Sequence, residues 1–127
     1  MKTLVLTSLT LVLLTSCSKY KGIGKFESSD TIFDADVTHY WYGGASIDFQ
    51  KRNSNVQCHG KALLTKPKSV CKGQSGTFHA SCNDGTILDG KWKALSCFEG
   101  EGRGKSQTGE VFIFNFGHSK RDESTLR

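Results

Sequence analysis

The second half of the chain alternates apolar and polar residues in a way that predicts β-strands. In Gly76–Cys82 every second side chain is apolar, which is the period of a half-buried strand. Asn83-Asp84-Gly85 then predicts a hairpin turn, because these residues tolerate the left-handed backbone that such turns need. The return strand is expected over Thr86–Trp92, with a bulge at Asp89-Gly90.

The last predicted strand, Glu110–Phe116, is apolar on both faces. Three phenylalanines occupy one face, while Val111 and Ile113 occupy the other. A strand that is apolar on both sides is buried on both sides, so we place it centrally or in a closed barrel.

Other segments of the chain are also expected to be strands, and Val37–Tyr42 is rich in the β-branched and aromatic residues that pack well on a pleated sheet. They cover Thr31–Phe33, Val37–Tyr42, Ala45–Phe49, Val56–Leu64 and Ser96–Gly104. Turn signals recur about every 8–12 residues, the spacing of all-β folds. The expected fold class is therefore mainly β: a small antiparallel meander, barrel or sandwich.

The amino-terminal residues have the pattern of an export signal. Lys2 precedes an apolar stretch, Leu4–Leu14, that is shorter than the roughly 20 residues of a membrane-spanning helix and fits a secretory signal. The stretch ends in Leu14-Thr15-Ser16-Cys17, which resembles the lipobox of bacterial lipoproteins. This resemblance implies cleavage before Cys17, acylation of that cysteine and attachment to a membrane.

Four segments follow from these patterns. They are a signal peptide (1–16), a lipidated tether (17–25), a β domain (26–117) and a flexible tail (118–127). Residues 18–25 of the tether span at most about 25 Å, so the domain is expected close to the membrane surface.

The cysteine count agrees with the lipid anchor. The chain has five cysteines, and an odd cysteine in an exported protein needs an explanation. Lipidation of Cys17 leaves an even set that is expected to form two disulfides: Cys58, Cys71, Cys82 and Cys97. Four cysteines allow three pairings, and the sequence does not choose among them. In a meander, Cys82 and Cys97 fall at opposite ends of their hairpin, which favours Cys58–Cys82 with Cys71–Cys97, or Cys58–Cys97 with Cys71–Cys82. Without a Cys-x-x-Cys pair, no metal site and no cofactor are expected.

The net charge and the expected cellular location of the chain limit which partners it can bind. The formal net charge of +5 suits solubility or an anionic surface. Nucleic acid is not expected as a partner of an exported, anchored chain. Ser18 after Cys17 resembles an outer-membrane address in bacteria with two membranes, which implies that the domain faces the periplasm.

One aromatic cluster is the candidate binding surface. His39-Tyr40-Trp41-Tyr42 offers large aromatic contact area to an envelope protein or a glycan. No catalytic motif is recognised, and Asp84 and Asp89 are interpreted as turn residues.

We therefore expect a non-enzymatic envelope lipoprotein, a binding or accessory module such as an assembly accessory, an inhibitor or an exclusion-type protein. The alternative is a small envelope hydrolase that uses a histidine-containing site.

Overall fold

The computed structural model describes residues 18–40, 44–117 and 126, and these contain a closed barrel of antiparallel strands. Each strand pairs with the next one along the chain, and the last pairs with the first. The eight strands are β1 Ser18–Phe26, β2 Ile32–His39, β3 Gly44–Lys51, β4 Gln57–Lys66, β5 Ser75–Cys82, β6 Ile87–Ala94, β7 Glu99–Ser106 and β8 Val111–Gly117. The expected mainly-β fold is confirmed, as a barrel rather than a sandwich.

Aromatic rings fill the inside of the barrel. Phe112 and Phe114 of β8 point inward, as the alternation predicted, and are 0% and 2% exposed. Phe49 of β3 meets both rings edge to face, with centroids 5.2 and 5.7 Å away. An eight-stranded barrel is just wide enough for its own side chains to fill it, so these rings form the core.

Glycines on neighbouring strands make room for the rings. All three glycines of β7 lie at inward positions, opposite the phenylalanines of β8. A Cβ atom at Gly102 would lie 2.1 Å from Cε1 of Phe114, so any larger residue would collide with the ring. The barrel interior therefore alternates large and small residues between adjacent strands.

The segment expected as a tether is the first strand of the barrel. β1 pairs with β2 along one edge and with β8 along the other, so the prediction of a free tether over 17–25 is wrong for Ser18–Lys25. The reason is that two inward positions of β1, Gly22 and Gly24, carry no side chain. The apolar alternation that marks other strands is missing there, although the backbone is paired.

The bulge expected in β6 is also absent. Asp89 and Gly90 keep a continuous register with both β5 and β7. A Cβ atom at Gly90 would lie 2.5 Å from the Phe78 ring, so this glycine serves ring packing and not a bulge. An irregularity occurs instead between Leu64 and Lys66 of β4.

The two ends of the barrel differ. We call the end where β1 begins the Ser18 end; it carries loops 67–74 and 95–98. The opposite end, the Asp84 end, carries four tight loops, 27–31, 52–56, 83–86 and 107–110. Gly85, with a φ of 91°, confirms the predicted left-handed turn. Of the expected tail 118–127, only Leu126 lies in the described part, where it is buried on the outside of the barrel.

Candidate functional site

Two histidine–aspartate pairs lie on the outer wall of β3 to β6. Nδ1 of His59 is 2.5 Å from Oδ1 of Asp48, and Nδ1 of His79 is 2.5 Å from Oδ1 of Asp89. Each pair joins neighbouring strands, because Asp48 is the register partner of His59, and Asp89 that of His79. The prediction that Asp89 is a turn residue is therefore wrong.

The sequence contained the signal for one of these pairs. In a hairpin, residues at equal distances from the turn face each other. His79 and Asp89 lie five positions on either side of Asp84, the centre of the predicted turn. The expectation of a bulge or turn at Asp89 conceals this pairing, because either would interrupt the register that the structure keeps.

A groove runs along this wall. It has a volume of about 540 Å³ and is lined mainly by apolar surface, with the two histidines at its sides. Leu63 lies in it and is 60% exposed. Lys61 and Asp89 add charge. We call the groove formed by His59, Lys61, Leu63, Thr77, His79 and Asp89 the outer groove. It can receive an apolar group flanked by hydrogen-bonding or charged groups.

One row of side chains invites comparison with a catalytic triad. On adjacent strands, Asp48, His59 and Ser81 are successive register partners, and nucleophilic sites use such residues. In the described hydrogen bonds, however, His59 contacts Asp48 and not Ser81. The side chains of His59 and Asp48 are 69% and 58% exposed. The main chain around His59 pairs with the neighbouring strands β3 and β5. An acyl-transfer site instead needs N–H donors directed at the oxyanion.

A second groove borders His59 on its other side. It has a volume of about 610 Å³ and contains carboxylates of β2 and β3. Each of these carboxylates has a basic partner: Asp34 with Arg52, Asp36 with Lys21, and Asp48 with His59. Across residues 18–40, 44–117 and 126, no group of three or more His, Cys, Asp or Glu is arranged to hold a metal ion.

The mouth of the barrel at the Asp84 end forms a third depression, of about 350 Å³. Phe26 and Leu88 form part of its floor, and Ser29, Thr86 and Thr108 stand at its rim. Its lining also includes two buried residues of the barrel interior, Phe33 and Ser106.

The Asp84 side chain is a turn residue, as predicted. The main-chain N–H of Thr86 donates to its carboxylate at 3.0 Å. This hydrogen bond lowers the pKa of Asp84 below its ordinary value, since it favours the charged form. Asp84 thus stabilises the turn between β5 and β6.

The predicted aromatic cluster is described only in part. His39 ends β2 and is exposed, while Tyr40 is half-buried, its hydroxyl 3.3 Å from that of Ser46. Trp41 and Tyr42 lie outside the described residues, as does the lipidation candidate Cys17. The binding role of this cluster stays a prediction.

The cysteines of the domain form two disulfides, one near each end of the barrel. Cys58–Cys82 joins the paired strands β4 and β5 at the Asp84 end. Cys71–Cys97 joins loops 67–74 and 95–98 at the Ser18 end. This is the first of the two pairings that the predicted meander favours. In the part of the chain that the structure describes, no helix has the length and apolar character to cross a membrane.

Comparisons with known proteins support the fold and no more. No protein-family model matches the chain, and neither does any curated protein sequence. A redesigned β-barrel matches with a TM-score of 0.62 at 9% identity, covering 82% of this chain and 91% of that one. A de novo designed fluorescence-activating β-barrel matches at 0.60 and 16%, covering 83% and 94%. A redesigned β-barrel bound to DFHBI matches at 0.61 and 9%, covering 80% and 94%.

Proposed function

We propose that this chain is the precursor of a lipid-anchored bacterial envelope lipoprotein, whose barrel is a non-enzymatic binding or accessory module. The observation that carries the proposal is the cysteine pairing. Four of the five cysteines bond to one another in two disulfides, which leaves Cys17 in its lipobox-like sequence. Disulfides are typical of exported proteins, in agreement with a signal peptide at 1–16.

The anchor is tested by Cys17→Ala in a bacterial host. We expect the parent protein in the membrane fraction, with the added mass of a lipid, because two or three acyl chains bind stably to a bilayer. Cys17→Ala should lack that mass. Ser18→Asp is the matched control: it keeps the lipid, and in a host with two membranes it should move the protein from the outer to the inner membrane. A lipid-sized mass on Cys17→Ala would refute the anchor.

The outer groove is the binding surface that the geometry favours. It combines an exposed apolar side chain, Leu63, with two histidines and a carboxylate at its edges, the mixture that protein or glycan partners contact. We propose that an envelope protein or a glycan binds there. A photo-crosslinking residue at position 63 should then capture a partner in cells that the same residue at Ser28, an exposed position at the Asp84 end, does not. Equal capture at both positions would refute this site.

A small hydrolase is the second candidate, and the row of Asp48, His59 and Ser81 favours it. The exposure of His59 and its lack of a hydrogen bond to Ser81 argue for binding instead. Purified protein with ester and amide substrates separates the two. Hydrolysis that is lost in His59→Gln but kept in His79→Gln would establish the enzyme; no hydrolysis above that of the double variant supports the binder.

A further inference from the structure

The Ser18 end of the barrel carries a surface of exposed apolar and basic side chains. We define it as the Ser18 patch: Lys66, Lys68, Val70, Lys72, Leu95 and Phe98. We infer that this patch lies against the bilayer that holds the lipid, with its apolar side chains in the headgroup region and its lysines on anionic lipid. The inference rests on the proposed lipid anchor and adds to it the orientation of the barrel.

The attachment point is at the same end as the patch. β1 begins at Ser18, one residue after Cys17, and consecutive Cα atoms are about 3.8 Å apart. The hydroxyl of Tyr20 in β1 donates to the main-chain oxygen of Cys97 at 3.3 Å, so loop 95–98 lies beside the start of β1. Because the segment expected as a tether is part of the barrel, a lipid on Cys17 holds this end at the membrane.

The apolar part of the patch is held as one unit. Val70 is 62% exposed, Phe98 57% and Leu95 43%. They belong to two loops that the Cys71–Cys97 disulfide joins. At the Asp84 end, whose four loops the structure describes completely, the one exposed large apolar side chain is Ile87, the first residue of β6, which is 39% exposed. Apolar side chains at an interface bury themselves about 5–10 Å into the headgroup boundary.

Charge favours the same orientation. Lys66, Lys68 and Lys72 follow one another without an acidic residue between them, and all three are exposed. Each basic residue at an anionic surface strengthens binding roughly fivefold. The loops of the Asp84 end instead expose Asp30, Asp84 and Glu110, so this end is repelled by the same lipids.

Fluorescence quenching in vesicles tests the orientation. The full chain is expressed, processed and purified, and then reconstituted into phosphatidylcholine–phosphatidylglycerol vesicles with or without brominated acyl chains. Tryptophan is introduced by Phe98→Trp at the patch or by Ser28→Trp at the Asp84 end, and the emission of the parent protein is subtracted. We expect the tryptophan at 98 to lose about half of its added emission, since it reaches the acyl boundary, and that at 28 to lose none.

The lysines provide a second measurement. Lys68→Glu with Lys72→Glu, in the Phe98→Trp protein, should reduce the quenching in anionic vesicles and leave it unchanged in pure phosphatidylcholine. Lys105→Glu, on the outer wall of β7, is the matched control and should change neither value. Unchanged quenching in anionic vesicles after the double substitution would overturn the electrostatic part of the inference.

The outcomes separate the orientation from the anchor. Lipid on Cys17, shown by intact mass, together with equal quenching at 98 and 28 would overturn the orientation and keep the anchor, leaving the patch to a protein partner. Preferential quenching at 98 without lipid on Cys17 would keep the membrane-binding patch and overturn the anchor. A chain without lipid that does not float with vesicles would overturn both.

Discussion

The two ends of this barrel have different surfaces and different interiors. At the Asp84 end the loops are short and expose carboxylates, and beneath them Phe112 meets Phe26 and Phe33 with ring centroids 5.1 and 5.6 Å away. At the Ser18 end a longer loop, 67–74, exposes lysines and Val70, and Phe116 beneath is only half-buried.

This difference determines which apolar side chains stabilise the fold. Apolar side chains stabilise a fold when they are removed from water, and at the Asp84 end Phe112 is fully buried. At the Ser18 end, apolar side chains such as Phe98 stay in water, where they do not stabilise the barrel. We infer above that these exposed side chains lie against the bilayer. The rings at the Asp84 end are therefore expected to contribute more to the free energy of unfolding than the exposed side chains of the Ser18 end.

The largest expected effect comes from the rings of β8. Phe112→Ala should reduce the free energy of unfolding by about 3–5 kcal/mol, because it leaves a cavity among four other rings. Phe116→Ala, in the same strand, should cost only about 2 kcal/mol, since part of this side chain is already in water. Denaturant unfolding of both variants measures the difference. Equal losses would show that the two ends are packed alike.

Removing the disulfide near each end in turn is a second way to compare the two ends of the barrel. They span 24 and 26 residues, so chain entropy predicts a similar loss, about 3.5 kcal/mol, when either is removed. Cys58→Ala with Cys82→Ala should lose more than Cys71→Ala with Cys97→Ala, because Cys58 is buried in the core.

Hydrogen exchange shows which part of the barrel loosens when the Cys71–Cys97 disulfide is removed. Without Cys71–Cys97, the amide protons of Gly73, Ala94 and Leu95 should exchange faster, since the first two hydrogen bonds join loop 67–74 to the end of β6 and the third closes loop 95–98. The amides of the Asp84 end should be unaffected. Faster exchange at both ends alike would mean that the loops of the Ser18 end are not an independent unit.

The smallest effect concerns the turn at the Asp84 end and depends on pH. The pKa of Asp84 is lowered from 3.8, chiefly by the hydrogen bond from the Thr86 main chain. A lowered pKa stabilises the folded state at pH values above 3.8, and this stabilisation is lost as the pH falls through the lowered pKa. Asp84→Asn keeps a hydrogen-bond acceptor but not the charge.

The parent should therefore be more stable than Asp84→Asn at neutral pH, by less than about 1 kcal/mol because the side chain is exposed. The two stabilities should converge in acid. Thermal unfolding of both proteins across the pH range from about 7 to 2 measures this. A difference that stays constant with pH would show that the charge of Asp84 contributes nothing to the turn.

The outer groove shows why the site was harder to predict than the fold. The alternation of β4 and β5 indicated strands, and their outward residues include His59 and His79. The predicted turn at Asp84 places Asp89 opposite His79, but no comparable turn signal in loop 52–56 tells which residue of β3 faces His59. That partner depends on the register of the β3–β4 hairpin, and a shift of one residue would move every side chain to the other face.

The sequence by itself determined the class of fold and the number of cysteines left for pairing. Alternation in β5 and β8 and the turn at Asn83-Asp84-Gly85 are local properties, fixed by backbone preference and by which side chains avoid water. The tertiary structure decided that Ser18–Phe26 is a strand and that the sheet closes. The physical reason is that Gly22 and Gly24 of β1 face inward, where Phe116 and Phe112 of β8 occupy the space. A strand whose buried positions are filled by its neighbour has no apolar pattern of its own.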